Sequence, residues 1–269
     1  MSARKQRGSI VDIGVLANEQ DVADAAARYV ISAMNAAQHK VLGVATGSTP
    51  LPLYERLRAA HAAGEFSLAH SQAFALDEYV GIDPEHEQRY RNVLRAELVG
   101  AENTGLLDEN LHTPDGGASD LDGAAREYDA AIAAAGGVEL QILGIGADGH
   151  IGFNEPGISL VSRTHVDSLT AKTRSDNARF FGGEIANVPS KCITQGLGTI
   201  MEARQVLLIA TGANKAEAVR ELVEGAVSAR WPATILQMHA RAVVLVDEAA
   251  AAELELKDFY RERWEALYA

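Results

Sequence analysis

The sequence predicts an α/β protein, a single domain over residues 1–269 built on a mostly parallel sheet with helices on both faces. Three observations carry this expectation. Short β-rich runs alternate along the chain with longer stretches of helical periodicity, which is the rhythm of strand, crossover helix and strand. With 269 residues, 47% of them hydrophobic and 23% charged, the chain can bury roughly three quarters of the surface that its unfolded form exposes, so a large core needs neither disulfide nor metal. No Pro/Ser-rich linker, low-complexity tract or internal repeat divides it. The richest turn segment, Thr113 to Asp120 with Gly116 and Gly117, is short enough to be a surface loop. Together these features describe a Rossmann-like architecture.

Each element has its own local signal. From Asn18 onward Val22, Ala25, Ala26, Tyr29, Val30 and Ala33 recur at helical spacing, with Asn18 or Asp21 able to cap the start. A β-rich run at Val41 to Ala45 precedes a helical pattern from Leu51 to Ala63, and Gln72 to Leu76 precedes another from Glu85 to Leu98. The rhythm continues with a helix from about Leu121 to Ala135, strands at Val138 to Ile145 and Gln205 to Ala210, and a helix at Ala213 to Glu224. A last strand, Ala242 to Val246, precedes a helical C-terminus.

Charge and cysteine usage exclude several function classes. The 24 Lys+Arg against 37 Asp+Glu leave a net charge of −13, which opposes nonspecific attraction to nucleic acid or an anionic membrane. An anionic ligand must therefore be captured by a local cationic pocket. Cys192 is the only cysteine, so no intrachain disulfide and no multi-cysteine metal site can form, and a small buried apolar side chain is the expected role. Arg4, Lys5 and Arg7 open the chain, yet Asp12, Asn18 and Glu19 interrupt the next stretch before an export-length apolar core is complete. No uncharged apolar run reaches membrane-spanning length either, and a cytoplasmic protein is expected.

In such sheets ligands bind beyond the carboxyl ends of the strands, so the loops there carry the chemistry. The first, Thr46-Gly47-Ser48-Thr49-Pro50, offers backbone and hydroxyl donors ahead of a helix, and reads either as an anion cradle or as an ordinary helix cap. It lacks the lysine of a nucleotide-binding P-loop. The second, Leu76-Asp77-Glu78-Tyr79-Val80-Gly81, places two carboxylates where a strand ends, as a general base or as a solvated acidic pair. The third runs from Gly144 to Gly157 and is the most specific. Its glycines formally match a dinucleotide fingerprint, but Gly152, Pro156 and Gly157 forbid the helix that motif requires. It instead delivers Asp148, His150 and Glu155, two carboxylates around one imidazole, which is how a proton-transfer site is built. A metal site is the weaker reading, because the second histidine of a helical zinc motif is absent. The fourth loop, Thr211 to Lys215, opens another helix, where a lysine is unfavourable unless an anion binds beside it. His239 reads as packed rather than catalytic.

The Thr46–Pro50 and Leu76–Gly81 segments, the Asp148–Pro156 loop, Ser162-Arg163-Thr164, Arg179-Phe180-Phe181 and Thr211-Gly212 to Lys215 resemble, in order, the motifs of the glucosamine-6-phosphate deaminase family. The resemblance covers nearly the whole chain, and the Asp-Gly-His-Ile-Gly-Phe-Asn-Glu-Pro run is its most specific part. It implies conversion of glucosamine 6-phosphate and water to fructose 6-phosphate and ammonia, with no metal and no organic cofactor. By matching motif, Asp77 is the base that moves a proton between C2 and C1, His150 assists opening of the pyranose ring, and Asp148 and Glu155 orient it. Gly47, Ser48, Thr49, Arg179 and Lys215 hold the phosphate. The resemblance also implies a mobile lid at about residues 169–183, and an assembly that is a monomer or a homo-oligomer such as a hexamer.

Two neighbouring activities share these loops. A galactosamine-6-phosphate deaminase/isomerase differs by one hydroxyl, and a 6-phosphogluconolactonase has no need of the Asp77 base. A non-catalytic sugar-phosphate sensor of the kind fused to DNA-binding regulators would need a helix-turn-helix and a basic face, and this acidic chain displays neither. Some family members are activated by N-acetylglucosamine 6-phosphate between subunits. Here the corresponding positions read Ile158, His165 and Asp167, and an aspartate in place of a lysine predicts that this activation is lost.

Overall fold

A computed structural model of the chain describes residues 11–268, so Arg4, Lys5 and Arg7 lie outside the described residues. In chain order the strands are β1 (Asp12–Leu16), β2 (Val41–Val44), β3 (Gln72–Ala75), β4 (Asp77–Tyr79), β5 (Leu111–His112), β6 (Leu140–Leu143), β7 (His165–Ser168), β8 (Lys191–Thr194), β9 (Val206–Ala210) and β10 (Ala242–Asp247). The α-helices are α1 (Glu19–Ala36), α2 (Leu51–Ala62), α3 (Tyr90–Leu98), α4 (Leu121–Ala134), α5 (Ala171–Asn177), α6 (Leu197–Met201), α7 (Ala216–Glu224) and α8 (Lys257–Tyr268). Seven strands form one sheet in the order β1-β10-β9-β6-β2-β3-β5, and each of its pairings is parallel. Its central strands, such as Val206–Ala210, are buried throughout, because helices cover both faces and leave no side for water.

This topology positions the site. After β2 the chain moves one way, to β3 and β5; after β6 it moves the other, to β9 and β10. The order reverses between β2 and β6, and a crevice opens at the carboxyl ends of those two strands. The loops that begin at Ala45 and Gly144 form its walls.

The structure resolves one open alternative and corrects several boundaries. Asn18, not Asp21, caps α1, its side-chain oxygen accepting from the backbone of Gln20 and Asp21 at 3.0 Å each. Helix α3 begins at Tyr90 rather than Glu85, and the strand expected over Val138–Ile145 is paired only over Leu140–Leu143. The first turn expected of the helix at Ala213 is a 3-10 turn, Ala213–Lys215, that leads into α7. Further strands were not anticipated. β1 adds an edge strand beside β10, and β5 adds one beside β3. A separate antiparallel sheet, β4-β8-β7, stands at the crevice, so Asp77 to Tyr79 is not a loop but a strand paired with Thr194, Ile193 and Cys192. Among the described residues no helix is long and apolar enough to cross a membrane.

Candidate active site

The phosphate-binding expectations fall on three segments that the fold brings to one corner. Gly47 has φ +88°, a left-handed conformation that favours glycine and turns the loop after β2 back on itself. Helix α2 starts at Pro50 without a side-chain cap bond, so Ser48 and Thr49 are not spent on capping it. Ser48 instead accepts a hydrogen bond of 3.1 Å from the Arg179 guanidinium, which reaches across from the segment after α5 and also lies over the Phe180 ring. Lys215 closes the corner from the loop after β9. It is half-buried rather than a solvated surface lysine. Burial pushes its ammonium pKa down, and the charges of Arg179 and Lys172 push the same way while Asp176 and Asp148 oppose them. Two cations held together against their own repulsion favour an anion between them.

The proton-transfer expectations fall on the loop after β6. His150 lies so close to the backbone of Gly146 that a Cβ there would collide with its ring, which explains the glycine. His150 Nδ1 is 2.7 Å from Asp148 Oδ1 and 3.8 Å from Glu155 Oε2. Burial works to raise the Asp148 carboxyl, but the imidazole beside it and the His150 backbone amide outweigh that and hold it well below the usual carboxylate range. Ligand atoms of all three residues lie within 4.8 Å of one another, close enough to suggest a cation site. The 2.7 Å approach of His150 Nδ1 to Asp148 Oδ1 is closer than a metal site would hold them, since a tetrahedral metal with bonds of about 2.0–2.1 Å spreads its ligand atoms to roughly 3.3 Å.

The two acids of the second motif have opposite fates. Glu78 is buried and accepts from the backbone of Tyr79, Tyr90 and Arg91 at 2.9, 3.0 and 3.0 Å, which makes it the cap of helix α3. Asp77 is only 6% exposed, and no donor among the described residues reaches its carboxylate. Burial, with the charge of Glu78 adding to it, raises its pKa well above the ordinary value. Asp77 also faces the third loop: a Cβ on Gly152 would lie 3.5 Å from Asp77 Oδ2. A buried carboxylate with an elevated pKa beside an oriented imidazole is suited to taking up a proton and giving it back.

Several residues around this group were not anticipated. Glu155 is buried, and its Oε1 accepts from the hydroxyls of Thr170, at 3.2 Å, and Thr173. Tyr90 donates to the Tyr79 hydroxyl at 3.1 Å, and Asn177 of α5 donates to it at 3.0 Å. No local pattern marks these residues, because each partner is distant in sequence. His239 is buried with Nε2 2.8 Å from the Ala203 carbonyl, in the packed role expected of it. Cys192 is buried in β8.

Comparison with known proteins agrees with this geometry. Residues 17–245 match the profile of a family described as glucosamine-6-phosphate isomerases/6-phosphogluconolactonase. A glucosamine-6-phosphate deaminase of Pseudarthrobacter chlorophenolicus is 54% identical over 256 residues, covering 95% of this chain and 97% of its own. One of Mycolicibacterium smegmatis is 51% identical with the same coverage. A solved structure described as a monomeric glucosamine-6-phosphate deaminase superposes with a TM-score of 0.87 at 35% identity, over 90% of this chain and 100% of its own. The 6-phosphogluconolactonase of Trypanosoma brucei, 21% identical with a TM-score of 0.72 over 92% and 100%, shares the fold.

Proposed function

The chain belongs to the glucosamine-6-phosphate isomerase/6-phosphogluconolactonase family, and on that premise we propose that it is a glucosamine-6-phosphate deaminase that converts glucosamine 6-phosphate and water to fructose 6-phosphate and ammonia. The observation that carries the reading is Asp77: buried, with no hydrogen-bond donor among the described residues, raised in pKa, and facing the loop of His150. Hydrolysis of a lactone moves no proton between carbons and does not require this base, whereas an aldose-to-ketose shift needs one at C2.

Arg179, Lys215 and the Gly47–Thr49 loop hold the phosphate, which fixes the sugar in the crevice between β2 and β6. His150 moves a proton at the ring oxygen as the pyranose opens, and Asp148 and Glu155 orient its imidazole. Asp77 then removes the proton from C2 of the open chain and returns it to C1. The double bond to oxygen at C1 becomes a double bond to nitrogen at C2. Water adds to that imine, the C–N bond breaks, and ammonia leaves. No step needs a metal or an organic cofactor. The site residues form one domain with a lid at about residues 169–183. Its substrate is a free sugar phosphate, and the single buried cysteine supports action in the reducing cytoplasm.

The test is ammonia release from glucosamine 6-phosphate, from its galacto epimer, and hydrolysis of 6-phosphogluconolactone. Ammonia is expected fastest from the gluco substrate. Turnover of the lactone alone would overturn the proposal.

A further inference from the structure

We infer that Thr170 and Thr173 are positioning residues for Glu155, so that the proton-transfer group around His150 is complete only when helix α5 is docked; this rests on the role proposed above for His150. Both hydroxyls converge on one carboxylate oxygen, Oε1, and no other donor among the described residues reaches the Glu155 side chain. The second oxygen, Oε2, is thereby left buried and without a hydrogen bond among the described residues, 3.8 Å from His150 Nδ1. Fixing one oxygen of a carboxylate fixes its plane, and the free oxygen is the one that faces the imidazole.

Helix capping does not account for both threonines. Thr170 is the N-cap of α5 and accepts from the Thr173 amide at 3.1 Å, which is all the cap requires. The Thr173 hydroxyl has no part in that bond; it accepts from the Thr170 hydroxyl at 3.0 Å, so Thr170 supports the carboxylate both through its own 3.2 Å contact and through Thr173. Thr173 is 4% exposed and donates to the carboxylate, at a position where a valine of the same shape would pack equally well.

The segment of this short helix reaches two further parts of the site. Asn177 at its end donates to the hydroxyl of Tyr79, two residues from Asp77, and Arg179 just beyond it reaches Ser48 in the phosphate loop. Its outer side, Ala171, Lys172, Ser175 and Asp176, is exposed, so little besides these contacts and the buried Leu169, Ala178 and Phe181 holds the segment down. A phosphate gripped by Arg179 favours the docked helix, and the docked helix sets Glu155. Recognition at one end of the sugar is thus linked to proton transfer at the other.

The experiment uses the full chain with Thr173→Val, which removes the hydroxyl, Thr173→Ala, which removes it without a β-branch, and Thr173→Ser, which keeps it. Both hydroxyl-free variants are expected to lower kcat about tenfold or more, with KM within about threefold of the original chain, while Thr173→Ser stays within about threefold in both. In a Glu155→Gln background Thr173→Val should add less than about a threefold loss, because it acts through a group already changed. An unchanged kcat in the hydroxyl-free variants, an equal loss in Thr173→Ser, or a full additional loss in the Glu155→Gln background would each overturn the inference. The His150 ring resonances give a readout without substrate: Thr173→Val should move them and Thr173→Ser should not. An original chain that releases no ammonia would remove the deaminase reading, whereas unmoved resonances in Thr173→Val would remove this one.

Discussion

Replacing Asp77 by Asn makes the sharpest demand on the proposed chemistry, because it should abolish turnover and stabilise the fold at the same time. The amide keeps the shape of the side chain and loses the base. A positioned general base contributes about 10²- to 10⁴-fold, so kcat should fall by that range while phosphate-dependent binding stays nearly unchanged. Stability should move the other way. Asp77 is 6% exposed, accepts no hydrogen bond from the described residues and sits beside the buried Glu78, so its native pKa lies above its unfolded value. A carboxyl of that kind binds a proton in the native state that the unfolded chain has already released. Its contribution is therefore most favourable below the ordinary value of 3.8 and is lost as pH rises through the elevated native one. Asparagine removes this dependence. Asparagine stays uncharged at every pH, so near neutral pH the variant escapes the cost of the strained ionisation, about 1.4 kcal/mol for every tenfold by which burial weakens the acid, and should melt at a higher temperature. The gain should vanish in acid. For the same reason the acid limb of kcat in the original chain should lie above the range of an exposed aspartate. Turnover by calorimetry or ammonia release and thermal melts from acid to neutral pH check both halves. Near-normal turnover would remove Asp77 from the mechanism, and an unchanged or lowered Tm at neutral pH would refute the burial argument.

The same geometry sets further expectations. Arg179→Ala should raise KM by roughly 10- to 100-fold, the loss of one charge-assisted contact, with a smaller effect on kcat; an unchanged KM in steady-state kinetics would make Arg179 a surface residue. Lys215 has its pKa lowered by burial, so KM should climb with pH earlier than an ordinary lysine dictates, and Lys215→Met should flatten that climb in a KM profile across alkaline pH. Asp148→Asn should lower kcat and, in contrast to Asp77→Asn, destabilise the fold at neutral pH: its native pKa is depressed, so its contribution is present above 3.8 and lost only as pH falls through the lower native value. Melts at neutral pH that show no difference would count against that pairing. N-acetylglucosamine 6-phosphate is expected to leave the saturation curve unmoved, because the positions that by resemblance would meet an activator's phosphate hold Asp167, 3.7 Å from His165; a marked leftward shift abolished by mutating His165 would reverse this.

The main sheet was legible because a parallel strand buried on both faces is a continuous apolar run, and Val206–Ala210 and Ala242–Asp247 are such runs. The smaller sheet was not. β4 comes after β3 with a single residue, Leu76, between them and carries two acids, so nothing local distinguishes it from a polar loop; only its pairing with β8, far along the chain, makes it a strand. The late start of α3 has the same origin. Its first free amides are satisfied by Glu78, well upstream, and a cap supplied from another strand leaves no mark where the helix begins.

The site divides along a similar line. Residues whose chemistry is expressed by their own loop could be read from the sequence, and Asp148, His150 and Glu155 stand close together in a glycine-rich loop that cannot be a helix. What the residues by themselves left open, and only the family resemblance assigned, was which acid of the second motif reacts. Asp77 and Glu78 are adjacent and alike, yet successive residues of a strand point to opposite sides, which sends one to three backbone amides and leaves the other with no donor among the described residues. The separation of a structural from a reactive carboxylate therefore depends on the register of β4, a property of the pairing rather than of the motif. The same holds for the threonines of α5: Thr170 reads as a cap, and Thr173 as an indifferent helical residue, until the fold lays that turn against Glu155. A site assembled in this way is sensitive at positions where the local sequence is silent, and for that reason Thr173, far more than His150, separates the assembled site from a list of its motifs.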